Sequence, residues 1–309
     1  MINNQIIDYK DYGKCLKISN GVIDAVVTLD VGPRIIYFGF VNGDNIMNNQ
    51  KQRFEPVKGE GFDKHYYKGA MWQNFGGHRL WTSPEHSPTT YYPDCEPVEY
   101  EITKNGAIFT PKPQRENGIA MQIEIIMSED GADMTVLHKI KNISAQPKKF
   151  SLWALSVAAE DGIEIIPTNT KNTGLLPNRL MVIWPYTDML DERIFIGNKY
   201  VTIHQKDVKK NIKLGFALDE GKAYYVKNNT VFCVKYDTFH NTKDYPDFGV
   251  SFETYSNDFF TEIETLSELK DVAPGATATH DEYWSLYKKP CELDERNEES
   301  IEQFINSLK

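Results

Sequence analysis

The sequence predicts an all-β protein, a large antiparallel β-sandwich with a short C-terminal helix. Three observations support this prediction. Apolar residues recur at every second position in many short segments, turn residues separate these segments about every ten residues, and helical periodicity is confined to the C-terminus. The 309 residues contain no internal repeat and no linker-like change in composition. We therefore expect one domain covering residues 1–309.

Alternation of apolar and polar residues marks the strands. In residues 22–31 the odd positions, beginning with Ile23, are apolar, which predicts a half-buried strand. Residues 119–127 and 134–140 alternate on either side of a Ser-Glu-Asp-Gly turn and predict a hairpin. Further strands are predicted over residues 35–40, 150–157, 213–217, 223–227, 230–236, 259–266 and 277–286.

One helix is predicted, close to the C-terminus. Its apolar face follows the spacing i, i+3, i+4, i+7 and comprises Ile301, Phe304, Ile305 and Leu308. Asp294 precedes these residues and is the predicted N-cap. The acidic residues around it are interpreted as a solvated tail.

Charge and composition disfavour several partners. The net charge of −10 argues against nucleic acid and anionic membrane surfaces. No apolar run approaches the length of a transmembrane helix, and the N-terminus lacks a signal-peptide pattern. The four cysteines form no CxxC pair, which favours a reduced, cytoplasmic protein.

Several well-defined motifs are missing from the sequence. It contains no GxGxxG, P-loop, HExxH or GxSxG pattern, so nucleotide, phosphoryl-transfer, zinc-protease and serine-hydrolase functions lack support. No cysteine stands at metal-ligand spacing, and His78, Glu85 and His86 would form a hard-ligand cluster only by chance. We expect neither a cofactor nor a metal.

Residues 71–88, MWQNFGGHRLWTSPEHSP, have an unusual composition for a scaffold strand. The Gly-Gly pair suggests a sharp turn or a close approach of the backbone to another group. Arg79 offers a planar fork of donors, His78 can donate and accept, and Trp81 can stack on a pyranose ring. Asn74 and His86 are further candidates for substrate binding. The alternative is a loop fastened by its own salt bridges and aromatic rings.

Residues 258–269, DFFTEIETLSEL, carry two glutamates on one strand. Glu262 and Glu264 are two residues apart and therefore point to the same face. An exposed face could carry both harmlessly, but the opposite face is only moderately apolar, so either face could be the inner one. If they face inward, the carboxylates need cationic partners or a proton, and such a pair could perform acid/base chemistry on a sugar.

Other cations and histidines are weaker candidates. Arg34 follows a Gly-Pro pair at a predicted strand start and could reach a ligand or a carboxylate. Arg193 and Lys235 could be cleft cations or solvated surface residues. His138 alternates with apolar residues and is interpreted as a buried, hydrogen-bonded histidine. His240 lies in a loop that could rim a cleft.

Four stretches resemble the galactose mutarotase-like superfamily. They are residues 21–47, 134–157 and 259–287, together with the GGHRLW motif at 76–81. In this order they span nearly the whole chain, and the GGHRLW…PE signature is more similar to a separate branch than to the true aldose 1-epimerases. The resemblance implies a large antiparallel β-supersandwich that binds sugars in an open cleft.

The resemblance also implies roles for individual residues. In mutarotases a strand glutamate takes the proton of the C1 hydroxyl, and a histidine protonates the ring oxygen. Glu264 matches that glutamate, and Arg79 matches the arginine of an early family motif. The stretch that carries the family histidine reads SLWALS here, so Glu262 or His78 becomes the candidate acid partner. Trp153, within this stretch, would help to hold the substrate.

Three functions remain open at this stage. The first is a sugar epimerase of the mutarotase type, with a mono- or oligosaccharide as substrate. The second is a non-catalytic carbohydrate-binding or sensing protein that retains the cleft and lacks the acid histidine. The third is a lyase or hydrolase acting on an acidic saccharide through Arg79 and Arg34.

Overall fold

Two large antiparallel β-sheets make up most of the computed structural model, which describes residues 2–239 and 241–308. Within these residues, one sheet has 11 strands and is called the front sheet; the back sheet has 10 strands. A two-stranded ribbon and two short α-helices complete the described fold. The predicted all-β class is confirmed. His240, predicted at a cleft rim, lies outside the described residues.

The strands of the N-terminal half, in chain order, are β1 (Asn3–Asp8), β2 (Lys14–Ser19), β3 (Ile23–Thr28), β4 (Ile35–Phe40), β5 (Val57–Lys58), β6 (Met71–Trp72), β7 (Gly77–Ser83), β8 (Glu99–Thr103), β9 (Gly106–Thr110), β10 (Ile119–Met127), β11 (Asp133–Asn142) and β12 (Lys148–Ala158). Helix α1 (Glu60–His65) lies between β5 and β6, and a 3-10 turn covers Lys51–Arg53.

The strands of the C-terminal half are β13 (Ile163–Pro167), β14 (Met181–Ile183), β15 (Ile194–Ile196), β16 (Tyr200–His204), β17 (Ile212–Phe216), β18 (Lys222–Lys227), β19 (Thr230–Tyr236), β20 (Phe252–Ser256), β21 (Thr261–Leu266), β22 (Lys270–Val272) and β23 (Thr277–Lys288). A 3-10 turn covers Thr242–Asp244, and helix α2 (Glu298–Asn306) follows the last strand.

The front sheet has the order β1-β2-β3-β4-β7-β12-β21-β20-β17-β14, with β22 paired to β12. The back sheet has the order β15-β16-β13-β18-β19-β23-β11-β10-β9-β8. Distant parts of the chain therefore become neighbours in the middle of each sheet. In the front sheet, the early strand β7 and the late strand β21 both pair with β12.

The predicted hairpin is confirmed as β10 and β11. Its register runs from Met127 opposite Met134 to Ile119 opposite Asn142. In β10 buried and half-buried residues alternate without interruption, as the sequence pattern predicts. The buried set packs between the two sheets.

The first predicted strand, residues 22–31, is shorter and more deeply buried than expected. β3 ends at Thr28, whose hydroxyl donates to the Val31 carbonyl at 2.6 Å and accepts from the Arg34 amide at 2.9 Å. These local hydrogen bonds replace the ladder and end the strand. The half-buried character predicted for it is wrong, because packed side chains cover both faces of β3.

The predicted C-terminal helix is confirmed, but its cap differs from the prediction. Asn297, not Asp294, is the N-cap, and its side chain accepts hydrogen bonds from the amides of Glu299 and Ser300. Asp294 instead accepts the Arg296 amide in a turn before the helix. Neither described α-helix has the length and apolar character needed to cross a lipid bilayer.

Aromatic rings join the two sheets at the centre of the core. Phe38 of β4 lies 5.2 Å from Trp284 and 6.0 Å from Phe232, measured between ring centroids. Trp284 and Phe232 belong to the back sheet, so Phe38 packs across the interface between the sheets. All three side chains are almost fully buried.

Replacing Phe38 with Ala is expected to lower the free energy of unfolding by about 3–5 kcal/mol, because the substitution leaves a cavity between the sheets. The matched control is Phe248→Ala, which removes a ring that is 90% exposed and should change stability by less than about 0.5 kcal/mol. Urea unfolding measures both variants. Equal stability of the two variants would contradict this packing.

Candidate functional site

The front sheet has an inner face and an outer face, and β7 shows how residues divide between them. His78 points inward, where its Nε2 lies 2.7 Å from Nε2 of His138 in the back sheet. Arg79 and Trp81 are on the opposite face, since side chains alternate along a strand. This outer face, turned away from the back sheet, is called the cleft face.

β21 divides its side chains in the same way. Thr265 points inward and its hydroxyl lies 2.7 Å from Nε2 of His280 in the back sheet. Glu262 and Glu264 therefore lie together on the cleft face, where Glu262 meets Arg79. The sequence left the orientation of this strand open, and both of its faces are in fact buried.

Strand register arranges the side chains of the cleft face in rows. In the first row Glu262 is opposite Tyr255 of β20, which is opposite Lys213 of β17. The second row contains, in strand order, Arg79, Leu155, Glu264 and Glu253. The third row contains Trp81, Trp153 and Leu266. Because adjacent rows on one face are two residues, or roughly 6.6 Å, apart along each strand, long side chains in adjacent rows can meet.

An open cleft with a volume of about 260 Å³ lies above these rows. Its aromatic lining comprises Trp72, Trp81, Tyr91, Trp153, Tyr186, Tyr255 and Phe260. Its polar and charged lining comprises Asn74, Arg79, Glu85, Lys213 and Glu262. Aromatic walls with a few convergent polar groups are typical of small-molecule sites.

Arg79 lies against two tryptophan rings. Its NH2 group donates to Glu262 Oε1 at 2.8 Å, and its guanidinium carbon is 4.1 Å from the ring centroid of Trp81 and 5.5 Å from that of Trp72. Nε and Nη1 of Arg79, and Nε1 of Trp72, are buried without a hydrogen-bond partner among the described residues. Because an unpaired buried donor is costly, this corner of the cleft suits a ligand that brings acceptor oxygens.

Lys213 is the second cation of the cleft. Its ammonium group lies 2.8 Å from Glu253 Oε2 and 2.9 Å from Glu264 Oε2. It also donates to Glu264 Oε1 at 3.2 Å, and Trp153 Nε1 donates to Glu264 Oε2 at 2.8 Å. Both oxygens of Glu264 are thus engaged beneath the cleft, whereas Lys213 itself lines the cleft.

Burial shifts the pKa values of this triad. It raises the pKa of Glu253 well above the usual range of a carboxyl group, and raises that of Glu264, although Lys213 opposes both shifts. Burial lowers the pKa of Lys213, but the two glutamates outweigh it and raise the pKa well above its usual value. The two carboxyl groups therefore favour the charged form of Lys213, which lies within 2.9 Å of an oxygen of each.

Four aromatic residues form a continuous wall on one side of the cleft. The ring centroids of Trp72 and Trp81 are 5.0 Å apart, Tyr91 lies 5.3 Å from Trp72 and 5.0 Å from Trp81, and Trp153 lies 5.6 Å from Trp81. The tilted and edge-to-face contacts are those that aromatic pairs prefer. Mutual packing therefore holds the wall rigid.

Four of the substrate-binding residues predicted from the sequence line the cleft: Asn74, Arg79, Trp81 and Trp153. Two others lie elsewhere. Arg34 is buried, and its NH2 lies 2.6 Å from Asp94 Oδ2. His86 lies in an exposed segment and is not part of the cleft lining.

Among the predicted catalytic residues, the structure separates His78 from the two glutamates. His78 is fully buried on the inner face, and its two ring nitrogens contact Ser156 and His138. It therefore has no route to a ligand in the cleft, and the acid role considered for it has no geometric basis. The strand period alone explains this, because His78 and Arg79 are consecutive and must face opposite ways.

The two other cations considered also lie outside the cleft. Arg193 is buried and its NH2 pairs with Asp191 Oδ2 at 2.9 Å, which fastens a loop. Lys235 is exposed on β19 of the back sheet. The interpretation of His138 as a buried, hydrogen-bonded histidine is confirmed by its donation from Nδ1 to the His280 carbonyl at 2.8 Å.

Sequence reasoning missed Lys213, Glu253 and Tyr255. Each lies on a strand whose register with β21 depends on pairings between distant parts of the chain, and no local motif marks them. One signal was present: Lys213 interrupts an otherwise apolar strand, and a buried lysine requires an acidic partner.

No protein-family model and no curated protein sequence matches the chain. Solved structures do match. A TPR-domain containing protein from Parabacteroides distasonis is 17% identical with a TM-score of 0.60, and the match covers 96% of this chain but 48% of that one. A putative aldose 1-epimerase from Escherichia coli is 12% identical with a TM-score of 0.52, covering 93% and 100%. A galactose mutarotase-like protein from Clostridium acetobutylicum is 13% identical with a TM-score of 0.54, covering 93% and 98%.

These similarities establish the class of fold. The chain shares its fold with structures described as a galactose mutarotase-like protein and a putative aldose 1-epimerase, as its sequence motifs predicted. It spans about half of the Parabacteroides protein and nearly the whole of the other two. At such low identities the likeness concerns the fold, and the residues of the cleft must be interpreted from their own geometry.

Lys213→Met is expected to lower the free energy of unfolding by about 3–5 kcal/mol, because it leaves Glu264 buried without its cation. Lys210→Met is the matched control. Lys210 is largely exposed and pairs with Asp188 at 3.1 Å, so its loss should cost less than about 1 kcal/mol. Chemical denaturation of both variants at neutral pH tests this. A Lys213→Met protein as stable as the control would mean that the triad is not a buried ion pair.

Proposed function

We propose that the cleft binds a monosaccharide unit and that Glu262 and Lys213 interconvert its anomers. The observation that carries this proposal is a carboxylate and an ammonium group in one row of the cleft floor, beside an aromatic wall. Mutarotation uses such a pair, because one group removes the proton of the C1 hydroxyl while another protonates the ring oxygen.

The lining of the cleft supports a sugar ligand. The rings of Trp81 and Trp153 offer apolar surface to the C–H face of a pyranose. Arg79 and Trp72 hold buried donors without partners, which sugar hydroxyl oxygens would satisfy. Likeness in fold to proteins named as putative aldose 1-epimerases supports the same ligand class.

Glu262 is better suited to act as the base than Glu264, the residue that the family resemblance indicates. Glu264 is fully buried, and Lys213 and Trp153 engage both of its oxygens. Glu262 lines the cleft, and its one hydrogen bond within the described residues comes from Arg79. Glu264 then serves to hold Lys213 in place rather than to contact the sugar.

The proposed reaction balances within the cleft. Glu262 takes the proton of the C1 hydroxyl, the C1–O bond of the ring breaks, and its electron pair moves to the ring oxygen. Lys213 protonates that oxygen, which as a developing alkoxide is far more basic than an amine. After rotation about C1–C2, the steps reverse on the other face, and both protons return to their donors. Lys213 thereby takes the role for which the family uses a histidine.

A second candidate function is carbohydrate binding without catalysis. Two observations favour it: the glutamates hold Lys213 in its charged form, and Arg79 already occupies one oxygen of Glu262. The third function, action on an acidic saccharide, has less support. Arg34 lies outside the cleft and pairs with Asp94. Glu85 and Glu262 add negative charge to the lining of the cleft, which disfavours an acidic saccharide.

Proton NMR of freshly dissolved α-glucose and α-galactose measures anomer exchange directly. We expect the wild-type protein to accelerate exchange, and Glu262→Gln and Lys213→Arg each to lower the catalysed rate by at least about 100-fold. Arginine keeps the charge at position 213 but does not release a proton. The matched control is Glu124→Gln, which removes a carboxylate from a salt bridge with Lys139 on the back sheet and should leave the rate unchanged.

The outcomes separate the candidates. If Glu262→Gln keeps the wild-type rate while Glu264→Gln loses it, the assignment of the base is wrong. If no protein changes the rate but the sugar signals broaden with wild-type protein, binding without catalysis is the better description. Failure of both effects with neutral sugars, together with broadening by a uronate, would favour the acidic saccharide.

The proposed setting follows from the thiols. All four cysteines are free in the structure, and Cys15 and Cys233 are buried. We infer a reducing, cytoplasmic environment. We also infer that the partner is a free mono- or oligosaccharide rather than nucleic acid or a membrane. The acidic net charge of −10 supports the same inference.

A further inference from the structure

A second cluster of reactive side chains lies between the two sheets, on the opposite side of the front sheet from the cleft. It comprises His78 of β7, His138 of β11 and Glu282 of β23, and is called the interior cluster. All three side chains are almost completely buried. One ligand atom of each lies within 4.8 Å of the ligand atoms of the others.

The three side chains converge on one point. Nε2 of His78 lies 2.7 Å from Nε2 of His138 and 3.8 Å from Oε2 of Glu282. Each contributes a nitrogen or oxygen lone pair, and the set of two imidazoles and one carboxylate is a common ligand set for divalent transition metals. In an apolar core, such groups are costly unless a strong interaction compensates their loss of solvation.

The second ring nitrogen of each histidine already has a hydrogen-bond partner. Nδ1 of His138 donates to the His280 carbonyl at 2.8 Å, which leaves its Nε2 as a lone pair facing the cluster. Nδ1 of His78 lies 2.9 Å from the Ser156 hydroxyl. Hydrogen bonds of this kind fix the tautomer and orientation of metal-bound imidazoles.

Glu282 is oriented by two further hydrogen bonds. Thr265 donates to its Oε1 at 2.6 Å, and Trp284 donates to its Oε2 at 2.9 Å. A carboxylate oxygen has two lone pairs, so Oε2 can accept from Trp284 and still bind an ion. The carboxylate is therefore held towards the two histidines by contacts that an ion would not disturb.

We propose that the interior cluster binds one divalent transition-metal ion, for which Zn²⁺ is the appropriate probe, through His78 Nε2, His138 Nε2 and Glu282 Oε2. The ligands come from both sheets, so the ion fastens the front sheet to the back sheet. The burial of all three ligands places the site out of contact with solvent and apart from the chemistry of the cleft.

Binding requires only a small adjustment. Two nitrogens on one tetrahedral zinc ion are about 3.3 Å apart, given bonds of roughly 2.0–2.1 Å. The two Nε2 atoms of His78 and His138, now 2.7 Å apart, would therefore separate by about 0.6 Å. Without metal, Nε2–H of His78 donates to Nε2 of His138. With metal bound, the proton resides on Nδ1 of His78, which donates a hydrogen bond to the Ser156 hydroxyl. The number of protons on the two imidazoles is therefore unchanged.

Metal analysis of the full-length protein tests the proposal. After dialysis against Zn²⁺ and then against buffer, we expect the wild type to retain a single equivalent of zinc, and Zn²⁺ to raise its Tm by several degrees relative to chelator-treated protein. With Co²⁺ in place of Zn²⁺, the visible absorption of the bound ion reports the ligand set. His138→Gln should lose the retained ion, the Tm increase and the absorption.

Two further variants separate metal binding from folding. Glu282→Gln keeps the size and an acceptor oxygen of the side chain, and should fold while retaining at least tenfold less zinc. His86→Gln removes an exposed histidine and should behave as the wild type. Folded wild-type protein that neither retains zinc nor gains Tm would overturn the proposal, and the histidine–histidine hydrogen bond would then close the cluster. Full retention by folded Glu282→Gln and His138→Gln would overturn it as well.

Discussion

Burial of the central strands of the front sheet on both faces is the constraint on which the rest of the structure depends. Since side chains alternate, residues adjacent in sequence enter different environments: His78 meets the back sheet and Arg79 the cleft, and Thr265 and Glu264 divide in the same way. Close packing between the sheets fixes the backbone that presents the cleft groups. A shift of an inner side chain therefore moves its neighbour in the cleft, although the two never touch.

Burial of the charged side chains also makes the charges of the cleft depend on one another. Arg79 pairs with Glu262 and Lys213 with Glu264, and at this depth an unpaired charge is far more costly than a paired one. A ligand that reaches Glu262 must compete with Arg79 or replace its hydrogen bond. Sugar hydroxyls can do so, because each both donates and accepts. The pairing of Arg79 with Glu262 is thus compatible with the proposed sugar ligand.

Local patterns predicted the all-β class, the β10–β11 hairpin and the C-terminal helix, because each depends on neighbouring residues. They also singled out Arg79 and Glu262 from unusual composition. They did not predict which face of β21 points inward. Both faces are buried, so apolar and polar residues do not alternate clearly along this strand. Lys213 was missed because its partners are set by strand register between distant segments, which no local pattern encodes.

The cleft and the interior cluster lie on opposite sides of the front sheet. In both, local sequence patterns do not determine which side chains of distant strands come together. The fold is shared with structures described as galactose mutarotase-like, as a putative mutarotase or as putative aldose 1-epimerases at 8–13% identity, so the rows of the front sheet can recur while their side chains change. Acid/base chemistry depends on which side chains occupy a row, not on the sheet itself. Here an ammonium group, Lys213, stands in the row of Glu262, and its charge is maintained by carboxylates beneath the cleft floor. In the proposed reaction such a cation takes the part of a cleft histidine, while His78 lies on the other face of the sheet, between the two sheets.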